Sequence, residues 1–190
     1  MNDKINISPY WVTGFFDGEG CFSLYVRRDK QKRKNHFAIY YRWQADFAIT
    51  LREDDIEVLK KFEKYFNAGA VSFTKLKKLK EDLLNKCTYH IVSTKDLVKK
   101  VIPHFEKYPL KSKKAADFIL WKEAVKIIHQ AKLRKKHLAD KVTYSEAENK
   151  KLLEILEALK KRLTGGHLLY QKRNINLQGT KNIEIISNLP

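Results

Sequence analysis

The stretch YWVTGFFDGEG, from Tyr10 to Gly20, is an apolar, aromatic run that ends in two acids flanked by glycines. Ser8 and Pro9 precede it in the pattern of a helix N-cap followed by a first-turn proline. We therefore predict a short helix that runs from there to about Asp17, with the glycines ending it. Such a helix delivers Asp17 and Glu19 to its C-terminal end.

The composition predicts a folded protein with a polyanionic partner. Of the 190 residues, 43% are hydrophobic, and 39 Lys and Arg outnumber 22 acids to give a formal charge of +17. A soluble domain tends to avoid that excess unless a polyanion offsets the self-repulsion. Nucleic acid is favoured as the partner over an anionic membrane surface or a charge that only aids solubility.

The cysteines and the N-terminal residues bear on the compartment. Cys21 and Cys87 lie far apart, without the spacing of a zinc site or a disulfide framework, and we interpret both as small buried residues in a reducing compartment. The pattern of a signal peptide is absent, and no apolar run approaches membrane-spanning length. We expect a soluble, intracellular protein without a membrane partner, in a bacterial or archaeal cytoplasm or in an organelle.

Alternating and helical patterns follow the opening stretch. CFSLYVRR and FAIYYRWQADFAIT alternate apolar and polar residues, which predicts a long hairpin with one apolar face and one polar, basic face. Residues 53–66 have helical spacing, 70–75 and 87–92 predict a second strand pair, and another helix begins near Ser93. We expect an α+β fold with an αββαββα core, a four-stranded antiparallel sheet and additional C-terminal helices.

The helical C-terminal part of the sequence gives way to a polar segment after residue 163. We expect a single domain over residues 1–163, with a core at 8–115 and C-terminal helices at 116–163, followed by a tail at 164–190. The 190 residues contain one copy of the opening motif.

Residues Val12–Gly20 resemble the LAGLIDADG signature of homing endonucleases, because the glycine, the two acids and the apolar residues between them fall in the same register. DFAITLREDDIEVLKKF at 46–62 and YPLKSKKAADFILW at 108–121 are similar to later segments of the same family. The resemblance extends over roughly residues 8–125. It implies the family's activity, which is hydrolysis of both strands of a long, near-palindromic DNA site and which promotes intron mobility.

The resemblance also implies a metal site at the end of the first helix. Glu19 takes the position of the metal-binding acid and the carbonyl of Gly18 assists it, with Mg²⁺ as the metal and Mn²⁺ as a substitute. Lys111 takes the position of the active-site lysine, and Arg52 lies near the family's basic contact to the cleavage site. The plainer alternatives are a turn acid at Glu19, a solvated basic turn at Lys111 and a surface charge at Arg52.

A homodimer follows from the resemblance, because the family packs two motif helices together and this sequence holds one. The expected interface comprises Trp11, Thr13, Gly14 and Asp17. Gly14 permits close approach of two helices. Thr13 makes the contact bulkier, and Asp17 ties its helix end to the partner helix.

The polar face of the predicted sheet, with its basic loop, favours a DNA-binding surface over an exposed face without a ligand. Double-stranded DNA is the expected partner, and the basic loop residues contact phosphates. The expected DNA-binding residues are Ser23, Tyr25, Arg27, Arg28, Lys30, Lys32, Arg33, Lys34, Tyr40, Arg42, Gln44, Asp46, Ser72, Thr74, Thr88, His90 and Lys113.

Two alternative functions use the same features. One is an RNA-binding intron maturase with the same fold, for which intron RNA is the partner. The other is a non-catalytic DNA-binding regulator that needs no divalent metal. The acid at Glu19 argues against a purely non-catalytic role but allows a protein with both functions.

Overall fold

The helices and strands follow one another in the predicted order. The computed structural model describes residues 7–32, 37–74, 85–135 and 142–162. The elements are α1 (Pro9–Glu19), β1 (Gly20–Lys32), β2 (Phe37–Arg52), α2 (Ile56–Phe66), β3 (Ala70–Thr74), β4 (Lys86–Ile91), α3 (Thr94–Asp96), α4 (Ile102–Lys107), α5 (Lys114–Leu133) and α6 (Glu146–Arg162). A 3₁₀ turn at Glu53–Asp55 precedes α2, and a π-helical segment at Leu97–Val101 joins α3 to α4. The αββαββα order with additional C-terminal helices is confirmed.

Helix α1 begins as predicted and ends later than predicted. Ser8 is its N-cap, with the side-chain oxygen accepting a hydrogen bond from Tyr10 N at 3.3 Å, and Pro9 occupies the first turn. The helix continues through Gly18 to Glu19, and Gly20 N–H donates to Phe16 O. A glycine near a helix end does not stop the helix when its last carbonyls find other donors.

The four strands form one sheet in the order β1-β2-β4-β3. Strand β4 pairs antiparallel with both β2 and β3, and places Tyr89 between Ile49 and Val71. Successive side chains of a strand point to opposite faces, and Cys87, Tyr89 and Ile91 on one face of β4 are buried. Strand β4 therefore has one apolar face and one polar face, as expected.

Residue contacts divide the chain into two compact units. Unit 1 comprises Met1–Ser23 and Asp46–Ile119, and unit 2 comprises Leu24–Ala45 and Leu120–Pro190. The prediction of a single domain over residues 1–163 stays a prediction. None of the helices in the described segments is long and apolar enough to cross a lipid bilayer. Both cysteines are free thiols, with Cys87 buried and Cys21 half-buried.

Phenylalanine rings fill the core of unit 1. Phe16 of α1 stacks on Phe47 of β2 with ring centroids 4.3 Å apart, and Phe22 and Phe105 pack against Phe16 at 4.8 and 5.2 Å. Phe16 and Phe47 have no exposed surface. Contacts of this kind fix the rotation of α1 about its own axis, and so decide which of its residues face outward.

Unit 2 has its own core around two tryptophans. Trp43 and Trp121 are buried, and Trp43 Nε1 donates a hydrogen bond to Asn149 Oδ1 at 3.0 Å. Leu152 and Leu159 lie on the buried side of α6. A tryptophan whose N–H has a partner can be buried without leaving an unpaired donor.

Replacing Gly20 by alanine should destabilise the fold, because a Cβ there would lie 2.2 Å from the ring of the buried Phe16. We expect the free energy of unfolding to fall by about 1–3 kcal/mol, the usual effect of overpacking a core. Gly14→Ala is the matched control: its Cβ meets no atom within 4 Å, and alanine is the better helix former by roughly 1 kcal/mol. Urea unfolding of both variants checks this, and equal losses would contradict the packing argument.

Candidate functional site

One side of α1 is open in the described part of the chain. Gly14 and Gly18 are exposed, and a Cβ placed on either meets no atom within 4 Å. Trp11, one turn before Gly14, is 37% exposed. Positions 11, 14 and 18 share one side of a helix, and the last helical residue, Glu19, is exposed. The open side therefore presents bare backbone for close approach and ends in a carboxylate.

Asp17 joins the end of α1 to the turn before α5. Its Oδ2 accepts hydrogen bonds from Lys111 N and Ser112 N, both at 2.9 Å, and Oδ1 accepts from Ser112 Oγ. Burial raises the pKa of Asp17, but the hydrogen bonds from Ser112 and Lys111 outweigh it, so the pKa lies below 3.8. Its expected contact was with a partner helix. The carboxylate instead caps unpaired N–H groups of its own chain.

Lys114 covers the C-terminal end of α1 with its ammonium group. Nζ donates to the carbonyl oxygens of Asp17 and Gly18 at 2.8 Å and of Phe16 at 3.3 Å. These carbonyls of the last turn carry the negative end of the helix dipole, and those of Asp17 and Gly18 lie among the last four, which lack helical partners. Burial lowers the pKa of Lys114, and negative neighbours, led by Asp17 and including Glu19, oppose that shift. The ammonium explains why α1 extends through Gly18.

Thr13 lies inside the protein rather than on the open side of α1. It is 7% exposed, and its Oγ1 donates to Tyr108 O at 3.1 Å. Oγ1 therefore accepts from His104 Nε2 at 3.1 Å, and His104 Nδ1 accepts from Tyr65 OH at 3.0 Å. Thr13 was expected at the dimer interface. Its hydroxyl instead serves a buried network that fixes His104 as the neutral Nε2–H tautomer.

The other basic residues expected near the metal site have separate surroundings. Lys111 contacts Asp17 through its backbone N–H, and its exposed side chain and that of Lys113 lie on the same turn. The guanidinium of Arg52 pairs with Asp54, with Nε 3.1 Å from Oδ1. Across the residues the structure describes, no hydrogen bond or ion pair joins Arg52 to Glu19. Lys114 is the lysine whose ammonium meets the end of α1, and the role of Lys111 as the active-site lysine stays a prediction.

The polar face of the sheet in unit 1 is a ladder of small polar side chains. Thr88 of β4 lies between Thr50 and Ser72 in the strand register, and the Oγ1 atoms of Thr50 and Thr88 are 2.9 Å apart. Lys86 lies between Arg52 and Thr74 in the same register. Ala48, His90 and Ala70 form the next row. The structure thus aligns four predicted DNA-binding residues, Ser72, Thr74, Thr88 and His90, and adds Thr50 and Lys86.

Asp46 and Ser23 are the other predicted DNA-binding residues of the sheet in unit 1. Ser23 Oγ lies 3.4 Å from Cys21 Sγ. Burial raises the pKa of Asp46 to about 7, against a hydrogen bond from Phe47 N–H. Asp46 Oδ1 is buried and has no hydrogen-bond partner among the described residues. Burial without a hydrogen-bond partner for Oδ1 thus favours the neutral form of this carboxyl.

In unit 2 the polar side chains are already paired with one another. Gln44, 7% exposed, donates from Nε2 to Tyr25 OH at 2.8 Å. Asp29 lies between the guanidiniums of Arg27 and Arg42. Arg28, Lys30 and Lys32 are exposed, Tyr40 is half-buried, and Arg33 and Lys34 lie outside the described residues. The burial of Gln44 shows that alternation alone overestimates how much of this face meets solvent.

Comparison with known proteins identifies the family. A family model described as LAGLIDADG endonuclease matches residues 12–125. The chain belongs to the LAGLIDADG endonuclease family. A Neurospora crassa protein named "Probable intron-encoded endonuclease 3" is 33% identical over 129 residues, which are 67% of this chain and 22% of that protein. The chain thus spans about a fifth of the length of this curated relative.

Solved structures of a homing endonuclease and of a LAGLIDADG meganuclease resemble the chain over most of its length. The homing endonuclease I-TnaI superposes with a TM-score of 0.63 at 28% identity, covering 93% of this chain and 98% of that one. The LAGLIDADG meganuclease I-CpaMI, described as bound to uncleaved DNA, superposes with a TM-score of 0.57 at 26% identity. The match covers 95% of this chain and 50% of I-CpaMI. This chain therefore corresponds in length to a whole I-TnaI chain and to half of I-CpaMI.

The oxygen ligands at the end of the LAGLIDADG helix suit a hard divalent cation in part. The Glu19 carboxylate is exposed, whereas the carbonyl oxygen of Gly18 next to it already accepts a hydrogen bond from Lys114 Nζ at 2.8 Å. No group of three or more His, Cys, Asp or Glu side chains suited to a metal occurs among the described residues. Mg²⁺ prefers six oxygen ligands and keeps several waters. The residues fit such an ion if a second carboxylate and a phosphate complete its coordination.

The buried side chains of His104 and Asp46 should change the stability of this LAGLIDADG chain in opposite directions as the pH rises. Burial lowers the pKa of His104 from 6.5 to about 4, so the unfolded chain binds the extra proton between these values and stability rises with pH. For Asp46, raised from 3.8 to about 7, the folded chain binds the extra proton and stability falls as pH rises. Each slope is at most about 1.4 kcal/mol per pH unit.

Single substitutions should separate the two slopes. Between pH 4.5 and 6.5, we expect the free energy of unfolding of Asp46→Asn to rise with pH more steeply than that of the wild type. His104→Gln should show the reverse change in slope. Urea unfolding across this range tests both, since the background from the other carboxylates is common to all three proteins. Parallel curves for the three proteins would refute the assignment.

Proposed function

We propose that the chain is a site-specific DNA endonuclease that hydrolyses both strands of a long, near-palindromic duplex and promotes the mobility of the intron that encodes it. The observation that carries this proposal is the position of Glu19, an exposed carboxylate at the end of a helix side formed by exposed Gly14 and Gly18. Membership of the LAGLIDADG endonuclease family supports it. The name of the Neurospora crassa relative supports the link to an intron.

A second copy of the chain completes the site in this proposal. Two α1 helices packed through Trp11, Gly14 and Gly18 would bring two Glu19 carboxylates together, because exposed glycines let helix backbones approach closely. A two-fold pair recognises a two-fold related DNA site. The comparison with solved structures supports this arrangement. The chain matches almost the whole of I-TnaI but only half of I-CpaMI, so I-CpaMI is long enough to hold two copies of this fold in one chain.

Glu19 would hold Mg²⁺, or Mn²⁺ as a substitute, together with the DNA phosphate and Glu19 of the second copy. The carbonyl of Gly18 would assist through the lone pair that the hydrogen bond from Lys114 Nζ leaves open. When bound, the metal supplies activation of water and stabilisation of the leaving oxygen. Lys114 keeps its ammonium at the same helix end and offsets negative charge gathered there. Lys111, exposed on the adjoining turn, serves as the active-site lysine in this proposal, and Lys113 beside it contacts a phosphate.

The sheet supplies DNA recognition in each unit. In unit 1 the polar row of Thr50, Thr88 and Ser72 offers hydroxyl groups to base edges. In unit 2 exposed Arg28, Lys30 and Lys32 offer positive charge to phosphates. Phosphate contacts make the affinity for DNA fall steeply as the salt concentration rises, whereas base contacts determine which DNA sequence is bound. The formal charge of +17 fits such a partner.

The test begins with a binding site chosen from a library of randomised duplexes in EDTA. The selected duplex is then incubated with the chain and Mg²⁺, Mn²⁺ or EDTA, and both strands are mapped on a sequencing gel. We expect double-strand cleavage with either metal and none in EDTA, and a dimer on the DNA by sedimentation. Tight binding of an intron RNA without any DNA cleavage would replace the endonuclease with the maturase. Metal-independent binding of DNA without cleavage would indicate a regulator.

A further inference from the structure

Asp29 lies between two arginines of unit 2, one from β1 and one from β2. Its Oδ1 is 3.0 Å from Arg27 Nε, and its Oδ2 is 2.5 Å from Arg42 Nε. The contact to Arg42 is an ion pair, since Arg42 Nε is buried and has no hydrogen-bond partner among the described residues. The side chain of Asp29 is 15% exposed, whereas those of Arg27 and Arg42 are 50% and 37% exposed. The two oxygens of one carboxylate thus hold two guanidiniums whose outer parts reach solvent.

Neither stability nor general DNA affinity explains this acid. Ion pairs between partly exposed side chains contribute little to the free energy of unfolding. A negative charge beside the basic residues of a polyanion-binding protein weakens its attraction to every phosphate. Two guanidiniums on adjacent strands also repel each other unless a carboxylate lies between them. Asp29 therefore weakens general binding and, in exchange, fixes the position of the two arginines.

We propose that Asp29 is a positioning residue that orients Arg27 and Arg42 to recognise guanines in the major groove of the DNA site. The inference rests on the proposed endonuclease function. A guanidinium carries five donors in a fixed fork, so a pair made through Nε leaves donors on the Nη groups. Such donors match the O6 and N7 acceptors of guanine. An arginine held in place before binding loses less side-chain freedom on the DNA.

The inference predicts opposite effects on two kinds of DNA, which a simple charge effect cannot produce. We expect Asp29→Asn to bind random-sequence duplex more tightly than the wild type, because one negative charge is lost. Binding of the wild-type selected duplex should weaken about tenfold, the usual effect of losing one good base contact. The matched control is Glu57→Gln, which removes one acid from an exposed pair with Lys60 on α2. It should bind both duplexes slightly more tightly.

The positions affected provide the second readout. Sites selected from randomised duplexes by Asp29→Asn should lose guanine preference at the same positions as sites selected by Arg27→Ala and Arg42→Ala. Asp29→Glu, which keeps the charge, should retain part of that preference. Thermal unfolding shows whether Asp29→Asn is folded. If it is not, Arg42→Lys, which keeps the charge without the fork, must lose preference at the positions assigned to Arg42.

Two results would overturn the inference, and they differ from failure of the function. If the Asp29→Asn protein binds both duplexes more tightly and its base preferences are unchanged, Asp29 only reduces the positive charge of the DNA-binding surface. Lost preference at positions unrelated to those of the two arginines would also exclude the positioning role. If the wild type selects no sequence and cleaves no DNA, the proposed function itself fails, and the inference fails with it.

Discussion

Cleavage of the selected duplex should fall about a thousandfold when Glu19 is replaced by glutamine, while binding of that duplex is kept or slightly strengthened. A factor of a thousand corresponds to about 4 kcal/mol of transition-state stabilisation, within what a bound metal contributes to phosphodiester hydrolysis. Glutamine has the size of glutamate and keeps one oxygen, but it lacks the charge that holds Mg²⁺. Glu19 is exposed, and its carboxylate makes no hydrogen bond among the described residues, so the fold should be unaffected.

Asp17→Asn is the contrasting variant two residues earlier. It weakens the acceptor for Lys111 N and Ser112 N and should lower the free energy of unfolding by about 1–3 kcal/mol. Glu19→Gln should leave unfolding unchanged. Single-turnover cleavage, gel-shift binding and urea unfolding of both variants separate the two acids. Wild-type cleavage by Glu19→Gln would remove Glu19 from the metal site.

Leucine at Gly14 should abolish pairing of the chain and double-strand cleavage together, while leaving the single chain folded. A Cβ at this position meets no atom within 4 Å of its own chain, so the side chain points into open space. Leucine is a better helix former than glycine by up to about 1 kcal/mol, so the monomer should be no less stable. Between two closely packed helices the added side chains would force the backbones apart.

Sedimentation on and off DNA, together with cleavage, measures the effect at Gly14. Gln130→Leu is the control, because it adds the same side chain at an exposed position of α5. The control should pair and cleave as the wild type does. A Gly14→Leu protein that still forms a dimer and cuts both strands would exclude the open side of α1 as the contact. A wild type that stays monomeric on DNA would defeat the homodimer altogether.

Local patterns in the sequence were sufficient to predict the order of elements. The Ser8 cap, the alternation through β1 and β2 and the helical spacing of residues 56–66 depend on neighbours in the chain, so a single sequence can report them. Thr50 shares the alternation of Asp46, and the same pattern could have found it. Asp29 shares the alternation of Arg27 in the same way.

The candidate site was predicted less completely because it depends on the rotation of α1 about its axis and on contacts between residues far apart in the sequence. KSKK contains three lysines in four residues, and only the geometry of the turn selects Lys114 to meet α1. Thr13 lies next to Gly14 in sequence, but packing of Phe16 turns Thr13 inward and leaves Gly14 outside. One signal was present: Ser112 before Lys114 has the pattern of a helix start, which places Lys114 in the first turn.

The hydrogen bonds of Asp17 and Lys114 join residues that are 94 to 98 positions apart in the chain. At a synthesis rate of about 5–20 residues per second, a ribosome needs roughly 5 to 20 s to pass from Glu19 to Lys114. During that interval the acid exists without the ammonium and the turn that fix the end of its helix. The helix of the motif is therefore synthesised before the residues that fix its end. A chain still under synthesis carries the carboxylate of Glu19 but lacks the turn at Lys111 and the ammonium of Lys114.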